Sequence, residues 1–447
     1  MRKLIKLGKK LFPINRSLTG KGSLKTLKII RSEIPNLKIK KFKSGKKVYD
    51  WKIPSEWNAY DAYVKDKRGR KIIDFKKNNL HLVGYSKPIK KKINKQELFK
   101  HLHTLEKLPK AIPYVTSYYN KYWGFCSTHN QKKLINKNYR IKDKFEICIN
   151  TKFNKSGFMH YGELILPGLS KKEILISTYI CHPSMANNEL SGPLVAIALS
   201  KFFIKRKLKK TLRFLFIPET IGSIAYIYKN IKSLKKNVIG GYVLTCIGDN
   251  REYSFLKTKY ENTPSDVAAQ NAFKDLNIKF KEYSFLERGS DERQYNSPGV
   301  DLKIGSIMRT KYGCYKEYHT SLDNFDLVNA RGLSGGYKVS KKAILNLLNF
   351  KKEMNEKKEL KSTSNPYIKF LCEPNLGKRG LYNLLGVRNL NLNTHSRKLL
   401  DFMQFSDGTN NLNQISRYIK LPFQKTKTIY KLLKKKKITF TIIFKNP

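Results

Sequence analysis

The stretch ILISTYICHPSMANNELSG, residues 174–192, contains the clearest structural pattern in the chain. Its first seven residues, 174–180, carry no charge and include several β-branched side chains, which predicts a buried strand. A polar segment follows, and residues 190–203 then have the length and apolar pattern of a helix. Strand, polar turn and helix in this order form the basic unit of a sheet that is covered by helices.

The alternation of strands and helices continues on both sides of this stretch. Further strand candidates lie at 163–166, 214–217, 239–244 and 278–283, and helix candidates at 224–231, 265–276 and 328–350. Mostly apolar strands between helices are typical of an α/β sheet with both faces covered. The first segment, up to about Lys46, has a helical pattern with Ser23 as its candidate cap.

A different pattern occupies residues 48–83. Short strand patterns alternate there with turns, and Trp51 and Trp57 supply apolar material for a separate core. This pattern predicts a small β-rich insert. Later in the chain, the polar segment 357–366 ends in Ser-Asn-Pro, which predicts a hinge between domains.

The last 80 or so residues fit a small domain. Three helix patterns and one strand pattern follow the hinge, at 397–405, 412–419, 426–433 and 438–444. This is the order of a winged helix-turn-helix. We therefore predict three domains: an α/β domain at 1–46 and 131–355, a β-rich insert at 47–130, and a winged-helix domain at 365–447.

The chain is strongly basic, with 91 Lys and Arg against 33 Asp and Glu and a formal net charge of +58. Such a charge can indicate a protein that binds nucleic acid or another anionic polymer. Nucleic-acid-binding proteins usually concentrate their charge on one face. Here the lysine runs are scattered along the chain, at 65–77, 87–95, 205–210 and 434–437. The scattered pattern favours a generally basic composition over a dedicated nucleic-acid surface.

Several classes of protein are not expected. No run of about 18 uncharged apolar residues occurs, so we expect no membrane-spanning helix. The first ten residues lack the apolar stretch of a signal peptide, which favours the cytoplasm. The six cysteines are widely spaced and show no C-x2-C pair, so we expect reduced thiols and no cysteine-zinc framework.

Polar side chains suited to metal chemistry follow the predicted strands. His182 and Glu189 follow the strand at 174–180, Glu219 follows 214–217, and Asp291 and His319 lie farther along. Ligands of open α/β sheets bind at the carboxyl ends of the strands, and catalytic zinc takes three protein ligands. The pattern is compatible with zinc on His182, Glu189 and His319, with Glu219 as the base. Structural roles are the alternative, because each carboxylate could instead cap a helix or pair with a nearby arginine.

Five longer motifs, at 11–20, 49–54, 181–193, 288–295 and 318–321, together resemble a known family. The sequence is similar to the prokaryotic aminopeptidase-like proteins of the zinc exopeptidase clan, which carry a β-rich insert and a C-terminal winged helix. These proteins are often associated with surface-polysaccharide biosynthesis. The resemblance implies the zinc-exopeptidase fold, a mixed sheet flanked by helices, for the α/β domain.

The resemblance also implies roles for individual residues. His182 and His319 match the first and last histidine ligands, and Glu219 matches the general base. Three positions that carry carboxylate ligands in the clan are neutral here, namely Asn188, Thr220 and Thr245. Neutral side chains cannot offset the charge of two zinc ions at close range, so we expect one ion.

The expected site therefore holds one zinc ion on His182, His319 and Glu189, with Asp291 in reserve as a ligand or as a group that orients an imidazole. Glu219 would pass a proton to the leaving amine while the zinc polarises an amide carbonyl. The candidates for substrate contact are Arg293, Tyr295 and Tyr318.

Two functions remain open at this point. The first is a zinc-dependent, aminopeptidase-like hydrolase of an amide, either in a peptide or in a small molecule such as an acylated sugar or amino acid. The second is a catalytically lapsed, peptidase-like binding protein with a regulatory role, whose winged helix contacts nucleic acid or a partner. Lys425, Lys427 and Lys431 suit phosphate contacts, but the chain is basic throughout, so packing or homo-oligomer formation is favoured over nucleic acid.

Overall fold

The computed structural model describes residues 1–351, 365–382 and 394–441. Within these ranges the helices are α1 (Arg2–Leu11), α2 (Lys21–Glu33), α3 (Lys95–Lys100), α4 (His129–Asn138), α5 (Ser191–Phe203), α6 (Ile221–Asn237), α7 (Pro264–Asp275), α8 (Glu292–Tyr295), α9 (Ala330–Leu348), α10 (His395–Gln404), α11 (Leu412–Tyr418) and α12 (Phe423–Lys435). The strands are β1 (Lys38–Lys43), β2 (Lys47–Val48), β3 (Trp51–Lys52), β4 (Glu56–Lys65), β5 (Lys71–Asp74), β6 (Ile89–Asn94), β7 (Leu102–His103), β8 (Phe125–Cys126), β9 (Lys144–Asn154), β10 (Phe158–Leu166), β11 (Ser170–Tyr179), β12 (Lys210–Ile217), β13 (Val238–Leu244), β14 (Ser254–Leu256), β15 (Lys281–Tyr283), β16 (Ile304–Met308), β17 (Pro366–Ile368) and β18 (Thr439–Thr441).

An eight-stranded mixed sheet forms the centre of the molecule, in the order β1-β10-β12-β11-β13-β16-β14-β15. Strands β12, β11, β13 and β16 are mutually parallel, whereas β10 runs antiparallel to β12 and β14 runs antiparallel to β16. Because the four central strands are parallel, their carboxyl ends meet at one edge of the sheet. The predicted α/β class with a mixed sheet is confirmed.

Both faces of this sheet are buried, and β11 shows how. Ile174 and Ile176 pack in an apolar cluster with α5, α7 and α9, whereas Leu175 packs in another with α6 and the insert. Alternate residues of a strand point to opposite faces, so an uninterrupted apolar run serves both layers. This explains why residues 174–180 showed no alternation of polar and apolar side chains.

The first segment differs from its expected helical pattern. Helices α1 and α2 lie there, but β1 follows them and pairs antiparallel with β10 at the edge of the main sheet. Helix α2 begins at Lys21 with Gly20 as its N-cap, where φ is 96°, a value that glycine adopts without strain. Ser23 does not cap the helix, because its hydroxyl donates to the backbone carbonyl of Ser17 instead.

The insert is built on an antiparallel sheet of four strands, in the order β5-β4-β9-β6. Trp57 is buried beneath it, in the same apolar cluster as Leu175 and Ile221 of the main domain, so the core of the insert is continuous with the main core and not separate as expected. Strand β9 belongs to this sheet although it lies beyond residue 130, where the insert was expected to end. The domain limits remain predictions, and this pairing favours a later end for the insert.

The C-terminal unit contains α10, α11 and α12, and its strands β17 and β18 pair antiparallel. This is the predicted winged helix-turn-helix, which is confirmed. Part of the strand predicted at 438–444 and most of the hinge predicted at 357–366 lie outside the described residues. The unit packs directly on the main domain, where the Arg288 Nη1 atom donates to Asp401 over 2.7 Å.

Two further expectations concern cysteines and membranes. All six cysteines lie in the described ranges, and each is a free thiol. Four of them are buried, Cys148 is half-buried and Cys314 is exposed. Across the described residues, the structure contains no helix with the length and apolar character required to cross a bilayer.

Candidate active site

His182 lies just beyond the end of β11, at the edge where the central parallel strands terminate. Its side chain is buried, and both ring nitrogens face carboxylates. The Nδ1 atom is 2.8 Å from the Oε2 atom of Glu189, and the Nε2 atom is 3.7 Å from the Oε2 atom of Glu219. Since Nδ1 is hydrogen-bonded, Nε2 is the ring nitrogen that can bind a ligand in the cleft.

Glu189 is held behind the His182 ring. It lies in a single π-helical turn, Ala186–Leu190, just before α5, and its Oε1 atom is 3.7 Å from the Nε atom of Arg16. The same Arg16 nitrogen donates to the backbone carbonyl of His182 over 3.0 Å. Glu189 therefore lies where it can orient the imidazole, and the expectation that it is the third zinc ligand stays a prediction.

One grouping of potential ligands also involves this carboxylate. Donor atoms of Cys181, His182 and Glu189 lie within 4.8 Å of one another. All three are buried, and the buried Arg16 guanidinium already supplies a positive charge beside Glu189. These residues therefore hold the His182 ring in position.

His319 joins the site from the segment that follows β16. Its ring centroid is 5.4 Å from that of His182, and Tyr318 stacks on it at 4.0 Å. The Tyr114 ring contacts both imidazoles edge-on, at 5.1 Å from His182 and 5.3 Å from His319. The structure thus brings the two predicted histidines together and holds them with two tyrosines.

Glu219 follows β12 and faces the same space. Its Oε1 atom accepts a hydrogen bond from the Ser290 hydroxyl over 2.9 Å. Burial raises the pKa of the Glu219 carboxyl, and nearby His182 and Arg293 only partly oppose that effect. A carboxylate with a raised pKa beside an imidazole is suited to accept and return a proton at near-neutral pH.

Asp291 supports the turn at Thr220. Its Oδ1 atom accepts from the Thr220 backbone N–H over 2.7 Å and from the Ser223 hydroxyl over 2.8 Å. Thr220 has a φ of 61°, which is strained for a β-branched residue. Burial and the nearby charge of Glu219 raise the pKa of Asp291 to about 8. This position at the backbone of the turn argues against Asp291 as a reserve ligand.

The three neutral positions are tied into hydrogen bonds. The Asn188 amide donates to the Tyr179 hydroxyl over 2.9 Å, and Tyr179 also bonds the Thr245 hydroxyl. The Thr220 hydroxyl accepts from the Nη2 atom of Arg293 over 2.7 Å. Uncharged groups with a guanidinium beside them would offset none of the charge of a second zinc ion. This favours the expectation of one ion, which stays a prediction.

A cavity of about 470 Å³ opens in front of these residues, within the usual range of roughly 300–1,000 Å³ for small-molecule sites. Arg293 lines it, as expected for substrate contact. Tyr295 does not, because it is fully buried and its hydroxyl pairs with that of Ser177. Tyr318 lies behind His319 rather than on the wall. These placements do not favour substrate contact by either tyrosine, and both roles stay predictions.

Three parts of the chain form the cavity walls. The main domain supplies His182, Glu219, Thr220, Ile221, Arg293 and His319, the segments of residues 18–120 supply Leu18, Trp51, Tyr114 and 116–120, and the C-terminal part supplies 373–378, Tyr382 and Leu400. The winged-helix unit thus helps to enclose the site, which the sequence did not indicate.

Glu373 is the central residue of the C-terminal wall. Its carboxylate accepts from Gln294 over 3.0 Å and from Gln404 over 2.9 Å, and its Oε2 atom is 3.5 Å from the Nε atom of Arg293. The Glu373 carbonyl accepts from the indole N–H of Trp51 over 2.7 Å. Glu373 therefore joins the insert, the main domain and the winged helix at the cavity.

The residues of this site fit a zinc ion. The donor chemistry is suitable, because Nε2 of His182, the His319 ring and the Glu219 carboxylate face one end of the cavity. Glu189 already holds Nδ1 of His182, and such a carboxylate partner is usual for a histidine that binds zinc. The residues that would hold the ion are therefore His182 and His319, with Glu219 beside them.

Comparisons with known proteins agree with this architecture. Residues 5–350 match a family model described as a domain of unknown function (DUF4910), and residues 366–440 match a winged helix-turn-helix model. A Clostridium acetobutylicum protein named "Putative polysaccharide biosynthesis protein with aminopeptidase-like domain" is 40% identical over 417 residues, which cover 93% of this chain and 91% of that protein.

Two solved structures show the same fold. A "putative peptidase" from Clostridium acetobutylicum is 36% identical, with a TM-score of 0.74 over 99% of this chain and 96% of that one. BSAP, a zinc aminopeptidase from Bacillus subtilis, is 12% identical, with a TM-score of 0.59 over 79% of this chain and 95% of that one. The family resemblance inferred from the motifs is confirmed. The chain belongs to the DUF4910 family, as an aminopeptidase-like protein with a C-terminal winged helix.

Proposed function

We propose that this protein is an aminopeptidase-like, zinc-dependent amide hydrolase that uses one ion. The observation that carries the proposal is the convergence of His182 and His319, whose ring centroids lie 5.4 Å apart at the end of a cavity that also contains Glu219. A zinc ion on two imidazoles supplies Lewis-acid polarisation of an amide carbonyl and activation of water.

The chain's own residues would transfer the proton and orient the His182 ring. Glu219, oriented by Ser290, takes the proton of the attacking water and delivers it to the leaving amine. Glu189 and Arg16 hold the His182 ring so that Nε2 faces the cavity. The name of the Clostridium acetobutylicum relative supports a role in polysaccharide biosynthesis, and cytoplasmic location remains a prediction from the sequence.

The test combines metal content with hydrolysis. We expect about one equivalent of zinc in the purified protein, lost in His182→Ala and in His319→Ala. His129→Ala is the matched control, because His129 begins α4 outside the cavity and should leave the zinc in place. Two equivalents in the parent protein, or full retention in both site variants, would contradict the one-ion site.

The variant Glu219→Gln tests whether Glu219 is the general base or the third zinc ligand. We expect this variant to keep its zinc and to lose roughly 10²–10⁴-fold in the rate of amide hydrolysis, measured on a panel of amino-acid anilides and N-acetylated amino sugars. If the zinc is lost as well, Glu219 is the third ligand and the proposed base is wrong.

The second candidate is a binding protein whose winged helix contacts nucleic acid. It is favoured by α12, where Lys425, Lys427 and Lys431 are exposed and form no ion pair with other described residues. Binding to duplex DNA that weakens with salt and prefers one sequence would support it, since phosphate contacts alone confer no preference. The preference should disappear in Lys425→Gln/Lys431→Gln and persist in Lys90→Gln/Lys92→Gln, a matched pair on β6.

A further inference from the structure

We propose that the amide cleaved at this site belongs to an N-acylated amino sugar rather than to a peptide with a free amino terminus. The inference rests on the proposed hydrolase and names its substrate class. It combines three observations: the carboxylates of the cavity are already engaged, the cavity carries a fixed cation, and its outer wall presents aromatic faces.

The first observation concerns the carboxylates that could bind an ammonium group. Among the described residues that line the cavity, the acidic ones are Glu219 and Glu373. Glu373 is committed, because its two oxygens accept from Gln294 and Gln404 and it neighbours Arg293. Glu219 holds the Ser290 hydroxyl and serves as the base. A free amino terminus would therefore have to share a carboxylate with Arg293 and the two glutamines, or with the base function of Glu219.

The second observation concerns positive charge. Arg293 lines the cavity and is fixed by the Thr220 hydroxyl, next to the proposed zinc position. An ammonium group at this end of the cavity would lie beside a bound zinc ion and the Arg293 guanidinium, whose charge Glu373 offsets only in part at 3.5 Å, so like charges would oppose its binding. An N-acyl group carries no such charge, because its nitrogen is part of the amide.

The third observation identifies the group attached to that nitrogen. The rings of Trp51 and Tyr119 line the outer wall with their centroids 5.9 Å apart. Their polar atoms are bonded to the protein, since the Trp51 indole donates to Glu373 and the Tyr119 hydroxyl donates to the Lys52 carbonyl. The aromatic rings are thus the parts of these side chains left to contact a ligand, and the negative charge density of a ring face attracts the C–H bonds of a sugar ring.

The remaining wall suits sugar hydroxyls. Thr116, Ser117 and Asn375 line the same cavity; the two hydroxyls donate to the Gly84 carbonyl and can still accept, and the Asn375 side chain accepts from the Lys378 backbone N–H. At about 470 Å³, the cavity has room for an acylated sugar and leaves little for a long peptide. Such a substrate would lie between the insert and the C-terminal unit, with its acyl group toward His182 and His319.

The experiment measures binding as well as turnover. Ligand binding to the full-length protein is followed by tryptophan fluorescence, because Trp51 lines the cavity whereas Trp57 and Trp123 are buried. The probes are the methyl glycoside of N-acetyl-D-glucosamine and leucinamide, an amide with a free amine. We expect the sugar to bind at least about tenfold more tightly, in line with the loss of a stacking contact and the like-charge cost for leucinamide.

Variants of Tyr119 test where in the cavity the sugar binds. Tyr119→Ala should weaken sugar binding by about fivefold to tenfold, and Tyr119→Phe should retain it because the ring remains. Tyr60→Ala is the matched control, since Tyr60 is also an exposed tyrosine, 46% against 43%, but lies outside this cavity. An unchanged affinity in Tyr119→Ala would overturn the proposed sugar position.

Turnover distinguishes this inference from the hydrolase itself. Sugar binding without release of acetate would support the substrate class and contradict the hydrolase. Hydrolysis of leucinamide with no binding or cleavage of the sugar would support the hydrolase and overturn the N-acyl inference. Failure of the sugar to bind, whatever happens to leucinamide, also overturns it.

Discussion

Arg16 shows how a buried residue that does not itself line the cavity can decide the geometry of the site. It is fully buried, donates to the His182 carbonyl and lies 3.7 Å from Glu189. We expect Arg16→Met to lower the free energy of unfolding by about 3–5 kcal/mol, because it leaves the Glu189 carboxylate buried without its cation. Urea unfolding at pH 7 would measure the loss.

The double variant Arg16→Met/Glu189→Gln completes a double-mutant cycle with the two single variants. Removing both charges should restore part of the lost stability, since no unpaired charge remains buried. If the double variant is as unstable as the sum of the two single variants, the two side chains are not coupled and Glu189 is held in another way.

Asp323 is a second buried carboxyl near the site, and it predicts a dependence of stability on pH. It accepts hydrogen bonds from the backbone N–H groups of Ala186, Asn187 and Asn188. Burial nevertheless raises the pKa of Asp323 from 3.8 to about 6. The folded state then binds the proton more tightly than the unfolded state, so this group's contribution to stability falls as pH rises from about 4 to about 6.

The comparison with Asp323→Asn isolates that contribution. Relative to the variant, the parent protein should lose about 2–3 kcal/mol between pH 4 and pH 7, measured by urea unfolding. Equal pH dependence in the two proteins would show that the Asp323 carboxyl is ionised throughout the range.

Among individual residues, the sequence predicted those that directly follow strands. His182 and Glu219 were found because each follows an apolar run, His319 because it could complete a zinc ligand set, and the family motifs then supported all three. No role could be assigned to Arg16, although it lies within the motif at 11–20, or to Glu373. Their roles depend on partners far away in the chain. The orienting role of Glu189 was missed for the same reason, since it depends on which side of the His182 ring the carboxylate takes.

Among the secondary-structure elements, long apolar ones were predictable and short or exposed ones were not. The apolar run at 174–180 and the helical pattern at 190–203 correspond closely to β11 and α5, because burial on the sheet requires those patterns. Strand β1 has the sequence KIKKFK and lies at the sheet edge, where one face is exposed, so its pattern is weak. Strand β14 has only three residues and was not predicted.

Asp50 in the insert is bound by a single 3-10 turn of the C-terminal unit, Gly377–Arg379. It pairs with Lys378 and Arg379 and accepts from the Asn375 backbone N–H over 2.8 Å. Burial alone would raise the pKa of Asp50, but hydrogen bonds from Arg379 and Lys378 outweigh that effect and lower the pKa below its usual value. The contribution of this contact to stability is therefore present above pH 4 and is lost as pH falls below the usual pKa of 3.8.

We expect Asp50→Asn to loosen this contact, with a cost of roughly 1–2 kcal/mol after solvent screening of the partly exposed pair. Hydrogen exchange should become faster at residues 373–379 and remain unchanged in β11. Asp61→Asn is the control, because Asp61 pairs only loosely with the exposed Lys76, at 3.9 Å. Equal exchange in Asp50→Asn and the parent would show that the insert and the C-terminal unit do not depend on this contact.

In the whole molecule, the winged-helix unit shares a hydrophobic core with the main domain. Phe285 and Met308 of the main domain belong to the same buried cluster as Leu399 and Phe402 of α10, whereas α12 keeps its lysines exposed. Units that share an apolar interface unfold together more readily than units joined by a linker alone. The docking through α10 also supports the packing role that was favoured for this unit over nucleic-acid binding.

We therefore expect the full chain to unfold in one transition. Tryptophan fluorescence reports residues 51, 57 and 123, and circular dichroism at helical wavelengths includes the C-terminal helices, so both signals should give the same midpoint in urea. Phe402→Ala removes a buried ring from the shared core and should lower both midpoints together, at a cost of about 3–5 kcal/mol. Phe423→Ala is the control, because Phe423 on α12 is exposed. A separate, earlier transition in circular dichroism would show that the winged helix unfolds independently of the main domain.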